Sequence, residues 1–309
     1  MSVKLIGVPL DLGAENLGVD IGPNAFRYQN IKGKLESSSL LIEDLGNLKC
    51  NSRENVEIGD LKLKYKREIL RVSEESARKV FQIINKKEKV IVLGGDHSIS
   101  LGAVSGASVA VSGDLGLIYF DAHGDMNTDE TTSTGNIHGM QLASLIGFGD
   151  KDLSSVYNKS VKIKKQNLLH IGGIDLDKEE IELIKREDLQ CYKMFDILSY
   201  GLAPLFKLID KLQLQVGNIW VSMDLDSIDS LYAPGAGMPN KAGLSYREIA
   251  MLAKYIGEHC NVIGVDVVEY NPLQDIECKT AELGIELIAS FLGQNYSWYT
   301  TYLDKNKLK

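Results

Sequence analysis

The segment Leu115-Gly-Leu-Ile-Tyr-Phe-Asp-Ala-His-Gly-Asp125 is an apolar run that ends in two aspartates and a histidine. A continuous apolar run of this length predicts a buried strand of a parallel sheet. Alternate residues of a strand point to the same face, so we expect Asp121, His123 and Asp125 to lie together at the strand end. Taken alone, such a cluster is also typical of solvated loop acids beside an unrelated histidine.

A second segment, Asn218-Ile-Trp-Val-Ser-Met-Asp-Leu-Asp226, repeats this form later in the chain. Asp224 and Asp226 are expected to share one face at its end. His97 follows a third apolar run and joins the candidate set. Ionisable groups gathered at buried strand ends repel one another unless a cation lies among them. The repeated pattern therefore predicts a metal site.

Further apolar runs predict more strands, and the amphipathic stretches between them predict helices. The predicted strands are 3–9, 89–93, 115–120, 167–172, 218–223 and 262–268, and the predicted helices are 61–85, 178–186, 249–259 and 281–293. Ser245 and Glu248 have the spacing of a capping box ahead of the third helix. Thr280 is expected to cap the fourth helix.

Strands that alternate with helices predict an α/β fold of three layers, with a central, largely parallel sheet and helices on both faces. No repeat or Pro-rich linker divides the chain, so we expect one domain over residues 1–309. In such sheets, sites form beyond the carboxyl ends of strands, and Glu269 follows its apolar run there as His97 does. Residues 294–309 are expected to pack on the body or on a neighbouring subunit, or to fray.

Composition narrows the class of protein. The net charge of −8 argues against a nucleic-acid partner, which normally requires a basic face. The first residues lack the pattern of a signal peptide, and the uncharged stretches are too short for a membrane span. The four cysteines form no CxxC pair and are typical of reduced thiols. A cytoplasmic location is expected.

The candidate ligands are two imidazoles and four carboxylates, without a thiolate: His97, Asp121, His123, Asp125, Asp224 and Asp226. This set suits Mn²⁺ better than structural zinc, with Fe²⁺, Co²⁺ or Ni²⁺ as substitutes. Six ligands exceed what one catalytic ion takes from protein, but they fit two ions about 3.5 Å apart that share carboxylates. Such a pair lowers the pKa of a bound water, so hydrolysis is the expected chemistry.

Several motifs resemble those of the ureohydrolase superfamily and, within it, the arginase family. The three main ones are GGDHS (94–98), DAHGDMN (121–127) and SMDLDSID (222–229). Others are GVPLDLG (7–13), GVDIGP (18–23), GNIHG (135–139), GLSYRE (243–248) and VEYNP (268–272). The resemblance spans roughly residues 3–293, and the motifs occur in the family's order.

The resemblance implies an eight-stranded parallel sheet, two Mn²⁺ per chain, and hydrolysis of L-arginine to L-ornithine and urea by a metal-bridging hydroxide. By motif position, Asp121 and Asp224 bridge both ions. His97 and Asp125 complete one ion site. His123 and Asp226 complete the other.

The resemblance also implies roles in catalysis. Asp125 relays a proton to the leaving amine, and Glu269 holds the planar guanidinium by charge-assisted hydrogen bonds. His138 shuttles protons at the cleft mouth, where an imidazole pKa near ~6.5 is useful. A loop histidine that only caps backbone groups is the alternative for His138.

Substrate contacts are expected from Asn127, Thr134, Asp177 and Glu180. On its own, the acidic segment DLDKEE (175–180) is typical of a solvated helix start. The chain departs from the family pattern at Thr134 (usually Ser), Ile174 (often Arg), Ser230 (usually Pro) and Met238 (commonly Thr). These departures concern substrate details and assembly, since all six metal ligands are retained. Family members are commonly trimers or hexamers, so a homo-oligomer is expected.

Three other functions remain open at this stage. Agmatinases and guanidino-acid hydrolases share the metal ligands and differ in what contacts the substrate tail, and Asp177 favours an arginase. A non-catalytic homologue that only binds a ligand is disfavoured by retention of the six ligands and Glu269. A single-zinc deacylase of related fold does not need the second aspartate pair with His97.

Overall fold

The computed structural model describes residues 2–295, which form an eight-stranded sheet with helices on both faces. Neighbouring strands all pair in parallel. The strands are β1 (Ser2–Val8), β2 (Leu41–Asn47), β3 (Lys89–Gly94), β4 (Leu115–Asp121), β5 (Leu168–Gly172), β6 (Cys191–Lys193), β7 (Asn218–Asp224) and β8 (Val262–Val268). The predicted α/β class and the eight-stranded parallel sheet are confirmed.

The order of the strands positions the site. Across the sheet they lie in the order β2-β1-β3-β8-β7-β4-β5-β6, so β3, β8, β7 and β4 are consecutive neighbours at its centre. His97 and Glu269 follow β3 and β8, and Asp224 and Asp121 are the last residues of β7 and β4. Because the carboxyl ends of parallel strands meet at one edge, groups from distant parts of the chain are brought together there.

The helices form two layers, one on each face of the sheet. The described helices are α1 (Gly22–Tyr28), α2 (Ile31–Ser37), α3 (Lys66–Asn85), α4 (Ser100–Ala110), α5 (Gln141–Leu145), α6 (Lys151–Ser154), α7 (Lys178–Arg186), α8 (Met194–Tyr200), α9 (Ala203–Gln215), α10 (Tyr246–His259) and α11 (Lys279–Phe291). Helices α3 to α7 share an apolar core with one sheet face, and α1, α2 and α8 to α11 share a core with the other. The three predicted layers are therefore confirmed.

Some local predictions differ from the structure. The helix expected over 61–85 begins at Lys66, after turn residues. Thr280 does not cap α11, because Cys278 is the N-cap and the Thr280 hydroxyl instead donates to Asp275 Oδ1 at 2.9 Å. The predicted capping box at the start of α10 is present, with Ser245 as its N-cap.

Within residues 2–295, no helix is long and apolar enough to cross a membrane. The prediction for residues 294–309 falls outside the described residues except for the first two.

Candidate metal centre and its cleft

A cleft opens at the carboxyl edge of the four central strands. Eleven of the twelve sequence-predicted site residues line it: His97, His123, Asp125, Asn127, Thr134, His138, Asp177, Glu180, Asp224, Asp226 and Glu269. The twelfth, Asp121, is fully buried at the end of β4. Met238, which departs from the family pattern, also lines the cleft.

One group of candidate ligands gathers around the His97 imidazole. Its Nδ1 atom lies 3.0 Å from Asp121 Oδ2, 3.2 Å from Asp125 Oδ2 and 3.0 Å from Asp224 Oδ2. His97 is 1% exposed. Three carboxylate oxygens therefore face a single buried ring nitrogen at the base of the cleft.

A second group gathers around His123. Its Nδ1 atom lies 3.0 Å from Asp226 Oδ2 and 3.4 Å from Asp121 Oδ1. Asp121 thus presents one carboxylate oxygen to each histidine, as expected of a ligand shared by two ions. In the first group, the ligand atoms of His97, Asp121 and Asp125 lie within 4.8 Å of one another. In the second group, the same holds for Asp121, His123 and Asp226.

Loops rather than continuing strands aim these side chains. Strand β4 ends at Asp121, and Asp125 lies beyond it with φ of 53°, in the left-handed region. Strand β7 ends at Asp224, whose carboxylate Oδ1 accepts from the Asp226 backbone N–H at 2.8 Å as a short 3₁₀ turn begins. The predicted convergence is found, but the expected cause, strand alternation through Asp125 and Asp226, is wrong.

Two features of the donor set fit a bound cation. Asp121 Oδ2 is buried and accepts no hydrogen bond within the described part of the chain, since His97 Nδ1 does not approach it with hydrogen-bond geometry. An unpartnered carboxylate oxygen in the interior is costly unless a positive charge faces it. The donors are imidazole nitrogens and carboxylate oxygens, which suit Mn²⁺ and related ions.

The tautomer of His97 also fits. Its Nε2 lies 2.9 Å from Ser222 Oγ, and the single Ser222 hydroxyl proton is donated to Asp266 Oδ1 at 2.6 Å. Ser222 therefore accepts from Nε2–H, which leaves the Nδ1 lone pair toward the carboxylates. Without a cation, burial lowers the pKa of His97, but Asp121, Asp125 and Asp224 outweigh burial and hold it well above its usual value. A metal ion bound at Nδ1 would take the place of the proton that the imidazole otherwise holds there.

Sequence reasoning missed Ser222 and Asp266. Both side chains are fully buried, on β7 and β8, and the two residues are directly paired in the sheet. Asp266 also accepts from Ser100 Oγ and Trp220 Nε1, so its carboxylate is fully bonded. The only sequence signal was two polar residues inside otherwise apolar strands.

Glu269 and His138 meet at the side of the cleft. Glu269 is 4% exposed, and its Oε1 accepts from the His97 backbone N–H at 3.0 Å and lies 3.2 Å from His138 Nδ1. Gly237 permits this position, because a Cβ there would lie 2.3 Å from Glu269 Oε2. Burial lowers the pKa of the His138 imidazole, but Glu269 outweighs burial and raises it to about 9. The pKa of His138 therefore lies above the ordinary histidine value expected from the sequence.

The expected substrate contacts form the outer part of the cleft. Asn127 Nδ2 donates to Asp177 Oδ2 at 2.8 Å. Glu180 lies deeper, and its two carboxylate oxygens accept from the backbone N–H groups of Met126 and Asp177, each at 2.9 Å. Burial raises the pKa of Glu180 to about 7. Glu180 therefore connects the loop after β4, which carries His123 and Asp125, to the start of α7.

Comparisons with known proteins agree with this site. A family model described as "Arginase family" matches residues 1–293. The arginase of Bacillus subtilis (strain 168) is 37% identical over 294 residues, which cover 95% of this chain and 98% of that protein. The native structure of Bacillus caldovelox arginase has a TM-score of 0.91 at 36% identity and covers 94% of this chain and 98% of its own. Entamoeba histolytica arginase, solved in complex with L-ornithine, has a TM-score of 0.84 at 28% identity over 94% of this chain and 98% of its own. By these full-length matches, the chain belongs to the arginase family.

Proposed function

We propose that this protein hydrolyses the guanidinium group of L-arginine to L-ornithine and urea, with two Mn²⁺ per chain. The observation that carries the proposal is the convergence of two imidazoles and four carboxylates at one sheet edge, beside Glu269 and His138. Family membership supports the reaction type. The L-ornithine complex of the Entamoeba histolytica relative supports the substrate, because L-ornithine is arginine without the urea unit.

Two overlapping sets of residues would hold the ions. His97, Asp121, Asp125 and Asp224 would hold one, and Asp121, His123, Asp224 and Asp226 would hold the other. When bound, two Mn²⁺ supply the positive charge that lowers the pKa of a water and so provides the nucleophile for hydrolysis.

Glu269 orients the substrate. Its buried carboxylate accepts from the guanidinium N–H groups, and such charge-assisted hydrogen bonds are strong and fix a planar group. The guanidinium carbon is thereby held beside Asp125 and the histidines. Binding also gives Glu269 a new cationic partner, which weakens its hold on the His138 proton and lowers the pKa of His138.

Proton movement is assigned to Asp125 and His138. Hydrolysis breaks the bond between the guanidinium carbon and the side-chain nitrogen, and that nitrogen must gain a proton as it leaves. Asp125 relays this proton to the nitrogen, and His138 exchanges protons between the cleft and solvent. Both side chains line the cleft.

The outer cleft recognises the amino-acid end of the substrate. Asn127 and Thr134 supply polar groups for the α-carboxylate, and Asp177 supplies a negative charge for the α-ammonium. Glu180 contributes by holding Asp177 in place through its backbone N–H. This arrangement favours L-arginine over agmatine, which lacks the α-carboxylate.

Two further properties are proposed, the first from the family resemblance and the second from the cysteines. We expect a homo-oligomer, a trimer or a hexamer. A cytoplasmic location is expected because the four cysteines are free thiols, as in reducing compartments.

The test is urea release from L-arginine, agmatine and 4-guanidinobutyrate by metal-stripped protein reloaded with Mn²⁺. We expect the highest kcat/KM for L-arginine. An equal or higher kcat/KM for agmatine would reassign the enzyme to another ureohydrolase reaction. Protein that binds two ions but releases no urea from any of the three would be a non-catalytic homologue.

A further inference from the structure

Tyr119 is a fully buried tyrosine directly beneath the metal centre. It lies on β4, and its ring stacks on the His97 imidazole, with ring centroids 4.6 Å apart and planes inclined by 1°. Its hydroxyl lies 2.6 Å from Asp125 Oδ2 and 3.1 Å from His97 Nδ1. A polar group therefore reaches the candidate ligands from the core side, opposite the cleft.

Gln141 approaches the same carboxylate. It is the first residue of α5 and is fully buried. Its Nε2 lies 2.8 Å from the Tyr119 hydroxyl and 2.5 Å from Asp125 Oδ2. Tyr119 and Gln141 thus both donate to one oxygen of Asp125.

This arrangement leaves the side-chain carbonyl of Gln141 without a hydrogen bond. Its Oε1 atom is buried and has no hydrogen-bond partner among residues 2–295. Reversing the amide would not help, because Oε1 would then face the Asp125 carboxylate. An unpaired carbonyl in a core destabilises the fold, and such groups in native structures often mark a functional requirement. For packing alone, an apolar side chain would suit this position better.

The single proton of the Tyr119 hydroxyl determines which of its neighbours can accept from it. Tyr119 has one hydroxyl proton, which is donated to Asp125 Oδ2, and its oxygen accepts from Gln141. The hydroxyl therefore has no proton left for His97 Nδ1, whose lone pair stays free for a metal ion. Gln141 thus donates both to the Tyr119 hydroxyl and to the Asp125 oxygen that this hydroxyl meets.

We propose that Tyr119 and Gln141 are positioning residues that hold the Asp125 carboxylate as a ligand of the metal centre. Both donors approach Oδ2, the oxygen that also faces His97 Nδ1 at 3.2 Å, and no donor in the described part of the chain reaches Oδ1. Asp125 lies beyond the end of β4, with its backbone in the left-handed region at φ of 53°, so strand geometry does not orient its side chain. The inference rests on the proposed metal site and deepens it by naming what orients one ligand.

The experiment compares Tyr119→Phe, Gln141→Met and a control, Tyr255→Phe. Tyr255 also donates its hydroxyl to an aspartate, Asp210, at 2.9 Å, and its ring stacks on Phe206, but in the helical layer. Metal-stripped proteins are titrated with Mn²⁺ by calorimetry, and their Tm values are recorded without metal. Losing a hydrogen-bond partner of a metal ligand typically weakens metal affinity or activity about 10–100-fold.

We expect Tyr119→Phe and Gln141→Met to bind one of the two ions about 10–100-fold more weakly. Their kcat for L-arginine should fall while KM is maintained. Gln141→Met should melt at or above the wild-type temperature, since it removes the unpaired carbonyl. Mn²⁺ affinities in both variants equal to those of the wild type and Tyr255→Phe would overturn the proposal. Because the titration needs no substrate, weakened Mn²⁺ binding in a protein without arginase activity would support the positioning role while refuting the proposed function.

Discussion

The Nε2 atom of His97 lies 2.9 Å from the hydroxyl of Ser222, below the carboxylates of the metal centre. Ser222 in turn donates to Asp266 at 2.6 Å, and these two residues are paired across adjacent strands. The register of β7 and β8 therefore determines which nitrogen of His97, a histidine that follows a third strand, β3, carries the proton. The tautomer of a candidate metal ligand is therefore set by the sheet itself.

Ser222→Ala is expected to weaken Mn²⁺ binding by about 10–100-fold, the usual effect of removing the hydrogen-bond partner of a metal-binding histidine. The substitution leaves Nε2–H of His97 without its acceptor, so the ring loses its fixed orientation. Calorimetric titration with Mn²⁺ measures the effect. Ser76→Ala is the matched control, because Ser76 is also fully buried but its hydroxyl has no partner within the described residues. Equal affinities in the two variants would contradict the role of Ser222.

Removing metal is expected to lower the Tm, and adding Mn²⁺ to restore it, because a ligand that binds only the folded state stabilises that state. Asp224→Asn is expected to have opposite effects on the Tm of the metal-free protein and of the Mn²⁺-bound protein. Burial, Asp226 and Asp121 raise the pKa of Asp224 well above its usual value, so its negative charge destabilises the metal-free fold. The variant should therefore melt above wild type without metal and below it with Mn²⁺.

Differential scanning calorimetry with and without a chelator tests this crossover. Because the ligands must lose protons to bind metal, the Mn²⁺-dependent gain in Tm should shrink as the pH falls. One zinc per chain by metal analysis, unaffected by Asp224→Asn, would rule out the proposed binuclear centre.

His138→Asn is expected to lower kcat by about 10²–10⁴-fold, the contribution of a general acid–base group, while two Mn²⁺ remain bound. The imidazole lies at the cleft beside Glu269 and outside both groups of metal ligands. His259→Asn serves as the control, since His259 is exposed on α10. A normal rate at normal metal content would remove His138 from the mechanism.

The pKa of His138 should lie near 9 in substrate-free, metal-free protein, because Glu269 stabilises the imidazolium against the opposing effect of burial. Glu269→Gln removes that charge, so the pKa should fall. Observing the imidazole by NMR over a pH series measures both values. An unchanged pKa in the variant would show that the two side chains are not paired in solution.

Asp177→Asn is expected to raise KM for L-arginine and to leave metal content unchanged. The variant removes the negative charge proposed to meet the α-ammonium, while asparagine remains a good N-cap for α7. Steady-state kinetics with L-arginine and agmatine measure the effect, and Glu179→Ala, an exposed neighbour, is the control. Because these contacts lie at the outer part of the cleft, we expect strong preference for L-arginine rather than complete exclusion of agmatine. An unaltered KM would exclude Asp177 from substrate binding.

Six of the eight strands were predictable because central strands of a parallel sheet are buried on both faces and are therefore continuously apolar. The two missed strands, β2 and β6, are the edges of the sheet. Most residues of β2 are at least partly exposed, and β6 has only three residues. Helix α4 was missed for the opposite reason. Residues 100–108 are all buried, so the helix has no polar face and shows no helical period.

For the site, the sequence by itself determined which residues become neighbours, because His97, Asp121, Asp224 and Glu269 each end or follow a strand and parallel strands end at one edge. Tertiary structure decided how these side chains are aimed. The left-handed backbone of Asp125 and the turn after Asp224 replaced the expected strand alternation.

The contacts below the metal centre were decided entirely by tertiary structure. Ser222 reaches Asp266 only because β7 and β8 are neighbours in one register. Gln141 reaches Asp125 and Tyr119 only because the start of α5 lies beside the end of β4 and the loop that follows it. A motif records the residues that touch the reacting groups. The hydrogen bonds from Ser222 and Gln141 that orient those residues join separate parts of the chain and leave no local pattern.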